Sequence, residues 1–213
     1  SELWAGFNRV AVDNPNAWIR KTLSASDIRS PSASNRPVSY PYTKLMNSNN
    51  SVDQGAALII TSVGKARSLG IGEDRWVYPH AGTEAWDHLY FSERDNLHSS
   101  PAIRFAVAKL FDLAGFGVAD MDFIDLYSCF PAAVQVSANE IGVPQDRPLT
   151  VTGGLTFAGG PLNNYVMHAV ARTVDLLRAR PGSHGLVTAN GGLLTKHALC
   201  IYSTDAPDAP FAW

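Results

Sequence analysis

From residue 100 onward, helical and strand patterns alternate along the chain, and this alternation constrains the fold more than any other feature. Ser100-Pro101 is typical of a helix start, with serine as the cap and proline at the first helical position. The apolar spacing predicts helices at residues 101–114, 131–141 and 162–179, and strands at 123–126, 185–189 and 193–203. Strands that alternate with helices indicate an α/β layered fold with a mixed sheet.

The first hundred residues are less regular. Residues 1–50 are punctuated by Ser, Pro and Asn, and predict only one short helix at residues 15–21, with Asn14 as its cap. The run GAALIIT at residues 55–61 predicts a strand buried on both faces. Helical turns at 63–69 and a strand at 76–79 are expected to follow, and residues 81–99 read as a polar and aromatic loop.

Composition excludes several classes of protein. Of the 213 residues 46% are hydrophobic and 17% are charged, which is typical of a packed globular protein and not of a disordered one. A pI of about 6.3 disfavours a nucleic-acid binder. No apolar run approaches the roughly 18 residues that a membrane span needs, and the first residues do not resemble a signal peptide. Two cysteines exclude a disulfide scaffold and favour a reducing, cytoplasmic location.

The first loop that can carry chemistry is DLYSCFP, residues 125–131, where a strand ends and a helix begins. The carboxyl ends of strands are where α/β folds bind ligands. A thiol at a helix N-terminus is expected to have a lowered pKa, which would favour the thiolate of Cys129. Tyr127 adds a hydroxyl that can donate or accept a proton. The alternative is that Cys129 is only a small packed side chain.

The second loop is GGLTFAGGP, residues 153–161, ahead of the long helix. Its four glycines allow a close approach of backbone to backbone or to ligand. Gly160-Pro161 follows where a phosphate-binding Walker loop requires Gly-Lys-Ser/Thr. Free N–H groups before a helix still offer donors to an oxyanion, although a tight strand-to-helix connection explains the glycines equally well.

The third loop is Asn190-Gly191-Gly192, which hairpin geometry explains by itself. The six histidines show no metal-binding spacing, and the two cysteines are too far apart in sequence for a zinc signature, so no metal is expected. No Gly-x-Ser-x-Gly elbow is present, which disfavours a hydrolase of that kind.

Three runs in this order resemble the C-terminal half of the thiolase superfamily: DLYSCFPAAVQ, GGLTFAGGPLNNY and HGLVTANGGLLTKHALCIYS. The likeness is to the sterol-carrier type and to thiolase-like relatives often named acetyl-CoA acetyltransferases. VDQGAALIITSVGKARSLGI resembles the closing strand and helix of the family's N-terminal half. The resemblance implies a loop-domain segment at 1–51, that closing unit at 52–74, the C-terminal half at 75–205 and a linker at 206–213.

What the resemblance implies is acyl transfer on coenzyme A thioesters, with no covalently bound cofactor. In the family a cysteine of the N-terminal half is acylated, which divides one difficult step into two. A histidine in a Gly-His-Pro loop activates it, a second cysteine moves the proton at the α-carbon, and a His or Asn helps to bind the thioester oxyanion.

The family's residues carry over only in part. Cys129 matches the acid/base cysteine, while Tyr127 stands where the sterol-carrier type has histidine. Gly159 and Pro161 match the Gly-His-Pro loop, but Gly160 replaces its histidine. Asn190 and Gly191 match an Asn-x-Gly form of the last loop. The nucleophilic cysteine belongs to a part of the fold that these motifs do not include.

Three functions remain open after this comparison. The first is an acetyl-CoA acetyltransferase-like acyl-CoA protein of lipid metabolism with an altered site. The second is a retro-aldolase on acyl-CoA that uses Tyr127, and the third is a non-catalytic module that binds CoA or lipid. The expected partners are acyl-CoA and an N-terminal thiolase half, from the same parent chain or a second subunit, because a half fold leaves apolar surface exposed. A homo- or hetero-oligomer is therefore expected.

Overall fold

One four-stranded sheet flanked by helices forms the centre of the structure, a computed structural model that describes all 213 residues. The helices are α1 Glu2–Asp13, α2 Ala25–Arg29, α3 Val63–Ser68, α4 Pro101–Ala114, α5 Pro131–Ile141, α6 Gly154–Phe157 and α7 Tyr165–Ala179. The strands are β1 Pro37–Ser39, β2 Tyr42–Thr43, β3 Tyr78–Trp86, β4 Phe123–Asp125, β5 His184–Gly191 and β6 Lys196–Ser203. No helix combines the length and the apolar character that crossing a bilayer requires.

The sheet has the order β3-β6-β5-β4. β6 is antiparallel to both β3 and β5, whereas β4 runs parallel to β5. The predicted mixed α/β sheet is therefore confirmed. The parallel β4–β5 pair places the end of β4 beside the middle of β5, since Asp125 pairs with Val187.

Helices cover both faces of the sheet. Because successive strand residues point to opposite faces, Ile201 of β6 packs in the core that includes Leu110 of α4, while neighbouring Tyr202 packs with the cluster that includes Tyr165 of α7. The predicted caps are present: the Ser100 hydroxyl accepts the Ile103 N–H at 3.2 Å, and Gly115 ends α4 with φ of 73°.

The N-terminal segment is more ordered than predicted. No helix forms at residues 15–21; instead α1 ends before Asn14, which is its C-terminal cap. Trp4, Phe7 and Ala11 are buried on one side of α1, at the spacing of an amphipathic helix. The chain then wraps the glycine loop, where the Trp18 N–H donates to the Ala158 carbonyl at 3.0 Å.

The predicted buried strand at residues 55–61 is wrong. These residues form no strand, and Ile59 and Ile60 are 94% and 88% exposed. A strand needs a neighbour that completes its backbone hydrogen bonds, and no other segment of this chain lies beside the run as a partner strand. The helical turns that follow are present as α3.

Three further boundaries differ from the prediction. β3 extends to Trp86, so the residues from 81 onward, which were expected to form a loop, begin as a strand. β3 pairs with β6 along its whole length, and this pairing outweighs the weak alternation of apolar and polar residues in the β3 sequence. Asn190 and Gly191 lie within β5, and the turn follows them. The expected linker at 206–213 does not leave the fold, because the Gly82 N–H donates to the Ala212 carbonyl at 3.0 Å.

Candidate functional site

Cys129 lies between the end of β4 and the start of α5. Pro131 occupies the first turn of α5, where a missing N–H costs nothing. The Asn190 side-chain amide, from the end of β5, lies 3.7 Å from the Cys129 sulfur. The Ser48 hydroxyl donates to the Cys129 carbonyl at 3.4 Å. Three segments distant in sequence therefore meet at Cys129.

The thiol of Cys129 has a raised pKa, which corrects the expectation of an activated thiolate. Burial is the largest cause, and it outweighs the hydrogen bonds from the backbone and from Asn190 that act in the opposite direction. Burial also raises the pKa of the second free cysteine, Cys200, to about 11. Cys129 is therefore protonated at neutral pH.

Tyr127 is half-buried two residues before Cys129. Its ring meets that of Tyr165 edge to face, with centroids 5.5 Å apart, and its backbone N–H donates to the Thr188 hydroxyl at 2.9 Å. Burial, and secondly the neighbouring Cys129, raise the pKa of the Tyr127 phenol. At neutral pH this hydroxyl is a proton and hydrogen-bond donor and not a base.

The glycine loop is packed too closely for side chains at several positions. Gly153 and Gly159 have φ of 103° and 113°, values that favour glycine. A Cβ on Gly160 would lie 3.4 Å from Asn50 Oδ1 and from Leu155, so a side chain there fits only tightly. The Gly160 N–H is already used, since it donates to the Asn49 carbonyl at 2.9 Å.

The structure brings the predicted loops to one side of the sheet. The Leu155 N–H donates to the buried Ser128 hydroxyl at 3.1 Å, which joins the glycine loop to the cysteine loop. Asn190 contacts Cys129, Tyr127 lies two residues before that cysteine, and Gly160 connects to the Cys129 loop through the segment of Ser48 and Asn49. Gly191 follows Asn190 in β5 and lies against the Lys196 side chain. These contacts within the strand pair account for a glycine at this position.

A cleft of about 310 Å³ lies on another side of the glycine loop. It is bordered by residues of α7, the α1 cap and the segment after residue 53: Asn14, Asn16, Gln54, Gly159, His168 and Arg172 among others. Tyr127, Cys129 and Asn190 do not line it. Its volume therefore gives no support to the thiol chemistry, which rests on the loop contacts alone.

Sequence reasoning missed the buried polar residues that support this site. Asp125 is fully buried at the end of β4, and Thr150, Thr152 and Tyr165 bond to its carboxylate. The available signal was an aspartate at a strand end, followed later by Thr-Val-Thr-Gly-Gly, whose alternate hydroxyls can face one acceptor. α1, which packs against Gly153 and Gly154, was also missed.

Comparisons with known proteins agree with this architecture. No protein-family model matches the chain. The crystal structure of a monomeric SCP2-thiolase like protein type 1 from Mycobacterium smegmatis matches with a TM-score of 0.86 and 36% identity, over 98% of this chain and 46% of that one.

Curated relatives are more distant. Acetyl-CoA acetyltransferase IA of Candida tropicalis is 28% identical over 147 residues, covering 68% of this chain and 34% of its own length. 3-Ketoacyl-CoA thiolase of Erwinia tasmaniensis is 28% identical over 165 residues, covering 69% of this chain and 36% of its own length. The chain thus spans about a third of the curated relatives that it matches, and just under half of the solved structure.

The mixed sheet, its two helical faces and the meeting loops define a layered α/β protein with the thiolase-like fold. The chain belongs to the thiolase superfamily, and within it to the sterol-carrier-type thiolase-like proteins.

Proposed function

We propose that this chain forms the acyl-CoA-facing half of a thiolase-like protein and holds a thioester carbonyl oxygen near Tyr127, Cys129 and Asn190. The contact between the Asn190 amide and the Cys129 sulfur, 3.7 Å long, carries this proposal because it brings two loops of distant sequence to one point. The phenol, the thiol and the amide are all donors in their neutral forms, and donors stabilise a developing oxyanion.

The same residues argue for an altered acyl-transfer site in lipid metabolism. Gly160 cannot accept a proton, and loss of a general base typically costs about 10²–10⁴-fold in rate. Gly159, Gly160 and Gly191 therefore contribute backbone shape and no acid/base chemistry, and the Gly160 N–H is already bonded to the Asn49 carbonyl. Thioester binding with slow or absent turnover is the expected behaviour, and coenzyme A thioester is then substrate or ligand, with no covalently held cofactor.

Calorimetry that measures the binding of acetoacetyl-CoA to the purified protein tests this proposal. Asn190→Ala should weaken binding about two- to twelvefold, because it removes one hydrogen-bond donor worth about 0.5–1.5 kcal/mol. Asn139→Ala is the matched control, since Asn139 is exposed near the far end of α5 and should leave binding unchanged. Absence of binding at millimolar ligand, or equal losses in both variants, would contradict the proposal.

The raised pKa of Tyr127 bears on the retro-aldolase alternative. A retro-aldol cleavage requires a base to remove the β-hydroxyl proton, and burial keeps this phenol protonated. A protonated phenol is not suited to act as that base, which favours thioester binding. Cleavage of a β-hydroxyacyl-CoA by the wild type, abolished in Tyr127→Phe, would identify the aldolase instead, and binding without any turnover would identify the non-catalytic module.

We further propose that an N-terminal thiolase half, from the same parent chain or a second subunit, covers residues 55–61. The exposure of Ile59 and Ile60 supports this, because exposed apolar β-prone runs mark interaction surfaces. The intact and native masses of protein isolated from its own cells test it: a longer chain or a bound second chain is expected. A free monomer of 22.9 kDa would overturn the proposal. We also propose a reducing, cytoplasmic compartment for the protein, which its two free cysteines support.

A further inference from the structure

A fully buried carboxylate joins the cysteine loop to the glycine loop. Asp125 is 0% exposed and is the last residue of β4, four positions before Cys129. Its Oδ2 accepts the Thr150 hydroxyl and the Val151 N–H, each at 2.9 Å, and the Thr152 N–H at 3.3 Å. Its Oδ1 accepts the Tyr165 hydroxyl at 2.8 Å. One side chain of the β4 end thus contacts two other segments, residues 150–152 and the start of α7.

The bonds around this carboxylate continue into the first two of the four glycines of the loop. The Thr150 hydroxyl accepts the Gly153 N–H and the Thr152 hydroxyl accepts the Gly154 N–H, each at 3.0 Å. The Thr152 and Tyr165 oxygens are 2.7 Å apart. Every group directed at Asp125 is a donor, so the arrangement fits an ionised carboxylate and fixes the direction of each hydrogen bond.

Burial and hydrogen bonding act in opposite directions on the pKa of Asp125. Its pKa is raised overall, because burial outweighs the hydrogen bonds from Val151, Tyr165, Thr150 and Thr152, which lower it. The pKa of Tyr165 is raised well above its ordinary value, by burial first and then by the nearby Asp125 charge. The Tyr165 phenol therefore keeps its proton and continues to donate it to the carboxylate.

We propose that Asp125 is the positioning residue of the candidate site: its buried carboxylate holds the Cys129 loop against the threonine-glycine loop and the start of α7. The inference rests on the proposed function for its purpose, although the geometry of the network is independent of any ligand. Asp125 touches no reacting atom. It acts by keeping Cys129 in the buried place where its thiol stays protonated.

The test is the pH profile of Cys129 alkylation by iodoacetamide in a Cys200→Ser background. Asp125→Asn replaces an accepting oxygen by an N–H that faces other donors, so the loops should separate and water should reach Cys129. The apparent pKa of the thiol should then fall, and alkylation at pH 8 should become about three- to tenfold faster, since the gain in thiolate is partly offset by lower nucleophilicity. Tyr165→Phe, which keeps the carboxylate, should produce a smaller change in the same direction.

Asp122→Asn is the matched control, because Asp122 lies beside the opposite end of β4 and accepts the His184 N–H at 3.0 Å. It should leave the alkylation profile unchanged. If Asp125→Asn and Tyr165→Phe both leave the profile unchanged, the positioning role is overturned, even where thermal stability falls. If the profile shifts as expected but the wild type binds no acetoacetyl-CoA, the positioning role stands and the proposed function fails.

Discussion

Gly153→Ala is expected to lower the free energy of unfolding by about 2–6 kcal/mol, the sum of about 1–3 for a strained backbone and about 1–3 for overpacking. Gly153 has φ of 103°, which an alanine rarely adopts. A Cβ at this position would also lie 2.7 Å from the Cα and 2.8 Å from the backbone nitrogen of Ala11. These are atoms of the α1 backbone, so no side-chain rotation can relieve the clash.

Gly142→Ala separates the two causes. Gly142 ends α5 with φ of 82°, and a Cβ on it would meet no atom within 4 Å, so its replacement costs only backbone strain. Thermal and urea unfolding of both variants give the comparison. A chain of this size loses about 2–4 °C of Tm per kcal/mol, and Gly153→Ala should melt well below Gly142→Ala. Equal losses would show that α1 does not press on the glycine loop.

The parts of this fold that the sequence predicts are those that depend on contacts between residues close together in the chain. Ser100-Pro101 and Gly115 bound α4 through contacts within a few residues, and Gly142 ends α5 in the same way. The order of the three loops carried the family resemblance, and the structure places the Asn190 amide 3.7 Å from the Cys129 sulfur. Their roles in chemistry stay predictions.

The parts that were missed depend on distant partners. The pKa of Cys129 was expected to follow the α5 N-terminus, but burial by residues far along the chain decides it. The run at residues 55–61 has strand propensity, yet propensity forms no strand without a neighbour. α1 was overlooked because the serine- and proline-rich residues after it dominate the composition of the segment, although Trp4, Phe7 and Ala11 have helical spacing.

α1 is therefore part of the candidate site's support. Its buried face meets the glycine loop at Gly153 through Ala11 and at Gly154 through Phe7. The Trp4 indole N–H donates to the Thr156 hydroxyl at 3.1 Å, and that hydroxyl donates to the Asn47 carbonyl at 2.8 Å. α1 thus contacts the glycine loop directly. Through Thr156 it also reaches Asn47, which precedes Ser48, and the Ser48 hydroxyl bonds to the Cys129 carbonyl.

Trp4→Ala is expected to cost about 3–5 kcal/mol of unfolding free energy, the usual range for truncating a buried aromatic residue. Trp4 is 1% exposed and stacks on Phe7 with ring centroids 4.9 Å apart. Its loss leaves a cavity between α1 and α6 and removes the bond to Thr156. Urea unfolding measures the change, and cleavage of the native protein within residues 150–161 by a dilute protease should become faster because the loop loses its support.

Two variants show which property of Trp4 matters. Trp18→Ala removes an indole that is 49% exposed, so it should cost much less and leave cleavage of the glycine loop unchanged. Trp4→Phe keeps most of the packing but lacks the N–H, so its cost should fall between the two. If Trp4→Ala lowers stability without exposing residues 150–161, α1 contributes to the core alone, and the glycine loop owes its shape to Asp125 and its threonines.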